Sequence, residues 1–205
     1  AMRSRGATYA TYDLALANAR VSYHPDWLRR SDADAALTAL RVEVPFEQHI
    51  VKMFGRELKA PRLSAWIGDP GAVYCYSRVR YIPKPWTPLL AQIRDRLNAE
   101  FDAAFNSVLV NYYRDGRDSM GWHSDDEPEL GPTPLIGSVS LGATRRFKLK
   151  AKRGGARAHI DLDHGSLLLM AGATQENYVH AIDKVQAAGE RINLTYRRVL
   201  PQGAL

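Results

Sequence analysis

Apolar residues recur along this chain with two different periods. Leu89, Leu90, Ile93, Leu97 and Phe101 fall at the three- and four-residue steps of one helix face. Thr87 just ahead can cap that helix, and Pro88 suits its first turn. An earlier helix is expected from Ser31-Asp32-Ala33-Asp34 through about Arg41, with the Ser31 hydroxyl and the Asp34 carboxylate covering free N–H groups as a capping box. Residues 24–28 (HPDWL) read as the turn into it, and the first thirty residues as irregular. Elsewhere the period is two. Residues 73–80 (VYCYSRVR) set Val73, Cys75 and Val79 against Tyr74, Tyr76, Arg78 and Arg80, and predict one strand. Further strands are expected at 107–113, 136–142, 145–150, 159–163, 166–172 and 191–199, with glycines and prolines in the gaps. Two helices followed by many short strands predict a mainly β fold with flanking helices (α+β). An antiparallel sandwich of the jelly-roll kind would leave a cavity between its sheets.

Composition narrows the setting. With 205 residues, 45% of them hydrophobic, the chain can bury one core, so a single domain over 1–205 is expected. No apolar run of about 18 residues suggests a membrane span, and AMRSRGATYA has no secretory apolar stretch. The one cysteine, Cys75, excludes an internal disulfide framework and fits a reducing cytoplasmic compartment. A net charge of +6 and a pI near 9.5 suit a polyanionic partner. Residues 144–158 hold seven Lys or Arg and no acid.

The densest chemistry lies in WHSDDEPELG, residues 122–131. In an extended segment, residues two apart face the same way, about 6.6 Å apart, so His123 and Asp125 could grip one ion. A third ligand must come from elsewhere. His24 and His49 lie in the N-terminal third, which reads as helical and far from any strand pattern. His159 and His164 differ in strand parity, and His164 precedes a glycine where a turn is expected. His180 follows the apolar strand at 166–172 and can return to the site. Two histidines and a carboxylate on three corners form the facial arrangement of non-haem Fe(II) oxygenases. Surface polar residues and a satisfied core histidine remain the alternative. In RINLTYR (191–197), Arg191, Asn193, Thr195 and Arg197 share one face. Buried, such a face calls for an anion, and a short dicarboxylate such as 2-oxoglutarate would fit between the guanidiniums. Asn111 and Tyr113, two apart on another strand, could add hydrogen bonds. A solvated edge strand is the alternative.

These stretches together resemble the AlkB-type Fe(II)/2-oxoglutarate-dependent dioxygenases that repair alkylated nucleic acids. The likeness runs from about residue 44 to 199. It is carried by NYYRDGRDSMGWHSDDEPELG (111–131), SVSLGATRRF (138–147), LDHGSLLLMAGATQENYVH (162–180) and RINLTYR. The resemblance implies a double-stranded β-helix (jelly-roll) core at 106–199, a nucleotide-recognition lid at 44–85 and a variable helical cover at 1–43. It implies His123, Asp125 and His180 as catalytic iron ligands, and Asn111, Tyr113, Arg191, Asn193 and Arg197 as the 2-oxoglutarate site. It rejects His164 as a ligand. Tyr74, Tyr76 and Ser77 fall on the lid, Asp126 and Glu127 on residues that read the damaged base, and Phe54 on a wedge that fills the space of a flipped base.

With Fe(II), 2-oxoglutarate and O2, the implied reaction removes the N-methyl group of 1-methyladenine or 3-methylcytosine in single- or double-stranded DNA. It releases formaldehyde, succinate and CO2. RNA bases, another substrate, or a catalytically silent nucleic-acid-binding member are the alternatives. A monomer free of membranes is expected, cytoplasmic and nucleoid-associated in a bacterium, nuclear in a eukaryote.

Overall fold

The computed structural model describes residues 11–53, 56–76 and 79–201, of which 51–53, 56, 75–76 and 79 are described by backbone alone. Strands β1 (Tyr12–Asp13) and β2 (Arg20–His24) precede helix α1 (Arg30–Glu43). Then come β3 (Ile50–Met53), β4 (Arg56–Lys59), β5 (Leu63–Gly68), β6 (Tyr74–Tyr76) and β7 (Val79–Tyr81). Helix α2 (Pro88–Phe101) leads to β8 (Ser107–Tyr113), β9 (Met120–His123) and a 3-10 turn at Pro128–Leu130. The remaining elements are β10 (Ile136–Gly142), β11 (Arg145–Ala151), β12 (Arg157–Leu162), β13 (Leu167–Ala171), α3 (Thr174–Asn177), β14 (Tyr178–Ile182) and β15 (Arg191–Arg197).

Two antiparallel sheets face each other. One has seven strands in the order β1-β2-β13-β10-β15-β8-β5, the other four in the order β12-β11-β14-β9. Helices α1 and α2 cover the outer face of the larger sheet. Leu40, Leu90, Ile93 and Leu97 pack there against Val108, Val139, Ile192 and Leu194, because β8, β10 and β15 send alternate apolar side chains outward. Between the sheets, Phe147, Leu149 and Leu162 meet Tyr113, Leu168 and Met170. This is the expected jelly-roll, mainly β with flanking helices. Strand β15 lies at its centre, between β10 and β8, with all seven residues buried. Gly142, at φ +93°, makes the turn out of β10, where a Cβ would stand 2.4 Å from the Glu190 carbonyl oxygen.

Helix α2 matches its pattern, capped by the Thr87 hydroxyl, which accepts from the Leu90 N–H at 3.3 Å. Several expectations change. No capping box opens α1: its N-cap is Arg29, with no side-chain hydrogen bond. The helix start is fixed instead by the Leu28 N–H donating to the Gly165 carbonyl. Asp34 stays exposed and is turned toward His164, taking a hydrogen bond from its Nε2 at 3.0 Å.

Residues 73–80 do not form one strand. Tyr74 pairs with Tyr81, Cys75 with Arg80 and Tyr76 with Val79, as a hairpin. The backbone register thus sets Cys75 opposite Arg80, which a single straight strand would not. The N-terminal stretch is not irregular either. Strand β2 pairs with β13 through five residues and buries Val21 and Tyr23. His24 therefore ends a strand and His49 stands next to one, contrary to the helical reading of that third. Strand β5 joins the large sheet through β8. Among the described residues no helix is long and apolar enough to cross a membrane.

Candidate active site

Strand β9 forms the edge of the smaller sheet beside β14, and their register sets His123 opposite His180. The two imidazole centroids are 4.2 Å apart. Asp125 follows two residues beyond His123. One ligand atom from each of His123, Asp125 and His180 lies within 4.8 Å of the others. Among the described residues no other group of His, Cys, Asp or Glu is gathered so closely.

The electrostatics prepare these atoms for a cation. Burial, helped by neighbouring His123, pushes His180 down to about 3, so its imidazole is neutral and keeps a lone pair. Burial lowers His123 as well. For Asp125 burial pushes upward, but Arg197, His180 and His123 outweigh it and hold the carboxyl at about 2. Arg197 Nη2 donates to Asp125 Oδ1 at 2.5 Å, while Oδ2 faces His180 Nε2 at 3.9 Å. A neutral donor pair and an ionised carboxylate are the forms in which these residues bind a divalent metal.

Across the cavity, β15 turns Arg191, Asn193, Thr195 and Arg197 inward and gives its apolar face to the helices. Register puts Asn193 beside Asn111 and Arg191 beside Tyr113 of β8. One cavity between the sheets is lined by all eight of the sequence-derived cofactor positions: Asn111, Tyr113, His123, Asp125, His180, Arg191, Asn193 and Arg197. Arg191 is 1% exposed; its Nη2 donates to Ser140 Oγ at 3.0 Å. Its Nε and Nη1, like those of Arg197, have no partner among the described residues. Buried guanidinium N–H groups without acceptors are costly. A dicarboxylate in this cavity would supply them, so the residues fit both a metal and an anionic cosubstrate. Asn193 lines the cavity but spends its hydrogen bonds on the sheet, donating to Ser138 Oγ and the Val139 carbonyl and accepting from Thr195.

A second cavity adjoins the first through shared Asn111, His123, Asp125 and Arg197. Tyr74 stands on its wall, stacked on Trp66 at 4.9 Å and 5% exposed. Burial raises the Glu127 carboxyl, against a hydrogen bond from Tyr74, and Glu127 Oε2 has no partner. Asp126 behaves differently. It is exposed and tied to Lys152 Nζ at 2.8 Å and Ser124 Oγ at 3.0 Å. Tyr76 is described by backbone alone, and Ser77 and Phe54 lie outside the described residues. His164 is no ligand; its Nδ1 accepts from the Gly142 N–H and its Nε2 donates to Asp34, so it links α1 to the β10 turn.

Four further residues matter here. Arg62 Nε donates to Asn111 Oδ1 at 3.2 Å and its Nη1 to the Ser119 carbonyl, joining the segment before β5 to the cavity floor. His49 lines the second cavity and meets Tyr81 edge-on at 5.3 Å. Arg145, 2% exposed, donates to the Asp118 and Asp183 carbonyls. Gln175 accepts from the Asp125 N–H at 2.8 Å. Arg145 belongs to the basic run at 144–158, and Arg62 to a second basic group in the sequence, Lys52, Arg56, Lys59 and Arg62, but no pattern singles out His49 or Gln175.

Known proteins resemble this chain. A model of the 2OG-Fe(II) oxygenase superfamily matches residues 20–197. The chain is 42% identical over 193 residues to the rat alpha-ketoglutarate-dependent dioxygenase alkB homolog 3, covering 89% of this chain and 65% of that protein. It is 37% identical over 184 residues to mouse DNA oxidative demethylase ALKBH2, covering 84% of this chain and 77% of that one. It thus spans about two thirds of the first relative. The solved structure of OsALKBH1 superimposes with a TM-score of 0.63 at 17% identity, over 87% of this chain and 96% of that chain, and shares the fold. The chain belongs to the 2OG-Fe(II) oxygenase superfamily and, within it, to the AlkB-type dioxygenases, whose cofactors are Fe(II), 2-oxoglutarate and O2.

Proposed function

We propose that this protein oxidatively demethylates N-alkylated bases in DNA, 1-methyladenine and 3-methylcytosine among them. The observation that carries this reading is the single cavity lined by a His-Asp-His cluster on one side and, on the other, two buried arginines whose Nε and Nη1 have no partner among the described residues. The relatives named as a dioxygenase and as a DNA oxidative demethylase support the same reaction class.

In this reading His123, Asp125 and His180 hold Fe(II). Arg191 and Arg197, with Asn111 and Tyr113, hold 2-oxoglutarate through its two carboxylates, and Asn193 shapes the same wall through its bonds to Ser138 and Val139. Fe(II) with this cosubstrate and O2 supplies the oxidation of the N-methyl carbon. The balance is one methylated base, O2 and 2-oxoglutarate giving the plain base, formaldehyde, succinate and CO2. Arg197 keeps the Asp125 carboxylate ionised and oriented. The apolar walls, Phe147, Leu162, Met170 and Ile182, keep bulk water from the reacting centre.

A methyl group on the pairing edge is out of reach inside a duplex, so the base must leave the stack. Tyr74, Tyr76 and Ser77, within a lid at 44–85, would hold it beside the core at 106–199, under the cover of 1–43. Glu127 and Asp126 would favour the positive charge such lesions carry. Phe54 would fill the gap left in a duplex. The enzyme would act as a monomer, in the cytoplasm or wherever the DNA lies.

The test uses protein supplied with Fe(II), 2-oxoglutarate and ascorbate, and a short DNA bearing one 1-methyladenine. Mass spectrometry is expected to show loss of one CH2 only when 2-oxoglutarate is present. Asp125→Ala is expected to abolish turnover and keep DNA affinity within a few-fold. Phe54→Ala is expected to impair duplex repair more than single-strand repair. Turnover on methylated RNA with none on DNA would reassign the substrate. Absence of both in metal-loaded protein would leave a silent binding module.

A further inference from the structure

Asp125 lies beyond the end of β9, in a stretch with no regular backbone pairing. Strand register does not fix it there, because the β9–β14 pairing itself shifts between His180 and Ile182. Yet its backbone N–H is satisfied by a side chain fifty residues away. Gln175 Oε1 accepts it at 2.8 Å, and Gln175 is 1% exposed. The carboxamide is held from its other end, where Nε2 meets Met170 Sδ at 3.4 Å. Gln175 belongs to α3, which runs directly into β14 and His180.

A second tie sits beside the first. Lys152, just past the end of β11, donates from Nζ to the Gln175 carbonyl at 2.9 Å and to Asp126 Oδ2 at 2.8 Å. Its backbone N–H donates to the Asn177 carbonyl at 2.8 Å. Two successive residues of the turn, Asp125 and Asp126, are therefore fastened to the segment that leads into His180. A carboxamide suits this place. It offers an acceptor to the N–H and brings no second negative charge beside the buried Asp125 carboxylate.

We propose that Gln175 and Lys152 are positioning residues for the metal. Gln175, through the Asp125 N–H, sets the Asp125 carboxylate against His180. Lys152 locks the same turn through Asp126, so the Asp126 carboxylate acts first as a structural tie. This rests on the assignment of His123, Asp125 and His180 as metal ligands made above. Partners that orient metal ligands from outside are worth roughly 10–100-fold in metal affinity.

The experiment titrates full-length, metal-free protein with Co(II), followed by its visible absorbance, and then records the Fe(II)–2-oxoglutarate charge-transfer band. Gln175→Met keeps the length and removes the oxygen acceptor without adding a charge. Gln175→Met is expected to bind Co(II) roughly 10–100-fold more weakly than the parent. Parent-like affinity in Gln175→Met would overturn the proposal. Should Gln175→Met fail to fold, Lys152→Met decides, since that side chain is 31% exposed and its loss is tolerable. A shifted charge-transfer band with weaker Co(II) binding supports the lock; unchanged values overturn it. A parent that binds no Co(II) sinks the ligand assignment itself, an outcome distinct from a binding parent with indifferent variants.

Discussion

His180 shows how one buried residue links stability to the site. Its imidazole is held neutral down to about 3, against an ordinary 6.5, mainly by burial and next by His123. Above 6.5 both folded and unfolded chains carry it neutral, so it adds no pH dependence. Below 6.5 the unfolded chain takes a proton that the folded chain refuses until about 3, so stability falls across that window. Urea midpoints of metal-free protein should therefore drop from pH 6.5 toward 4, and His180→Gln should flatten the slope; an unchanged slope would mean the ring is solvated. Arg191 makes the opposite case. It is a buried cation with no carboxylate partner among the described residues. Arg191→Met should leave the unliganded fold no less stable by urea titration, because replacing an uncompensated charge with a packed side chain is often neutral or better. The same change should weaken 2-oxoglutarate binding by about 2–5 kcal/mol in calorimetry, the cost of removing one partner of a desolvated charge pair.

Elements were legible where the pattern had only one way to fold. Thr87, Pro88 and the Leu90, Ile93, Leu97 face give α2 as expected, and replacing Thr87 by Ala should cost about 1 kcal/mol in chemical denaturation. Strands β8, β10 and β15 matched their apolar alternation because each crosses the middle of a sheet. The misreadings share a cause. A period of two is the same before and after a hairpin, so residues 73–80 looked like one strand. A capping box is local, whereas the start of α1 is set by the distant Gly165 carbonyl and by His164 drawing Asp34 away.

At the scale of the molecule, the basic run at 144–158 is less uniform than its composition implies. Arg145 is buried, while Arg146, Lys148 and Lys152 pair with Asp161, Asp183 and Asp126. Lys150 lies over the exposed Trp122 ring at 5.0 Å, and Arg153 and Arg157 face solvent. The number of cations free to meet phosphates is thus smaller than seven. Anisotropy with a single-stranded oligonucleotide should show affinity falling with salt at about −0.7 per phosphate engaged. A slope matching only a few contacts would agree with this pairing, and no slope at all would remove the surface from binding.

The sequence by itself determined the residue types and their faces. His-x-Asp and the alternating Arg191–Arg197 face follow from local spacing, which survives folding because strand geometry is fixed at two residues per repeat; His180 entered as the third ligand through the family resemblance. Only the tertiary structure decided which of those faces meet. Sheet order put β15 across from β9 and β14 and closed one cavity around eight side chains. Tertiary contacts also separated Asp126, tied to Lys152, from Glu127, turned toward Tyr74. They recruited Gln175 to an N–H fifty residues away. Such choices depend on long-range hydrogen bonds between segments, for which neighbouring residues in the chain carry no signal.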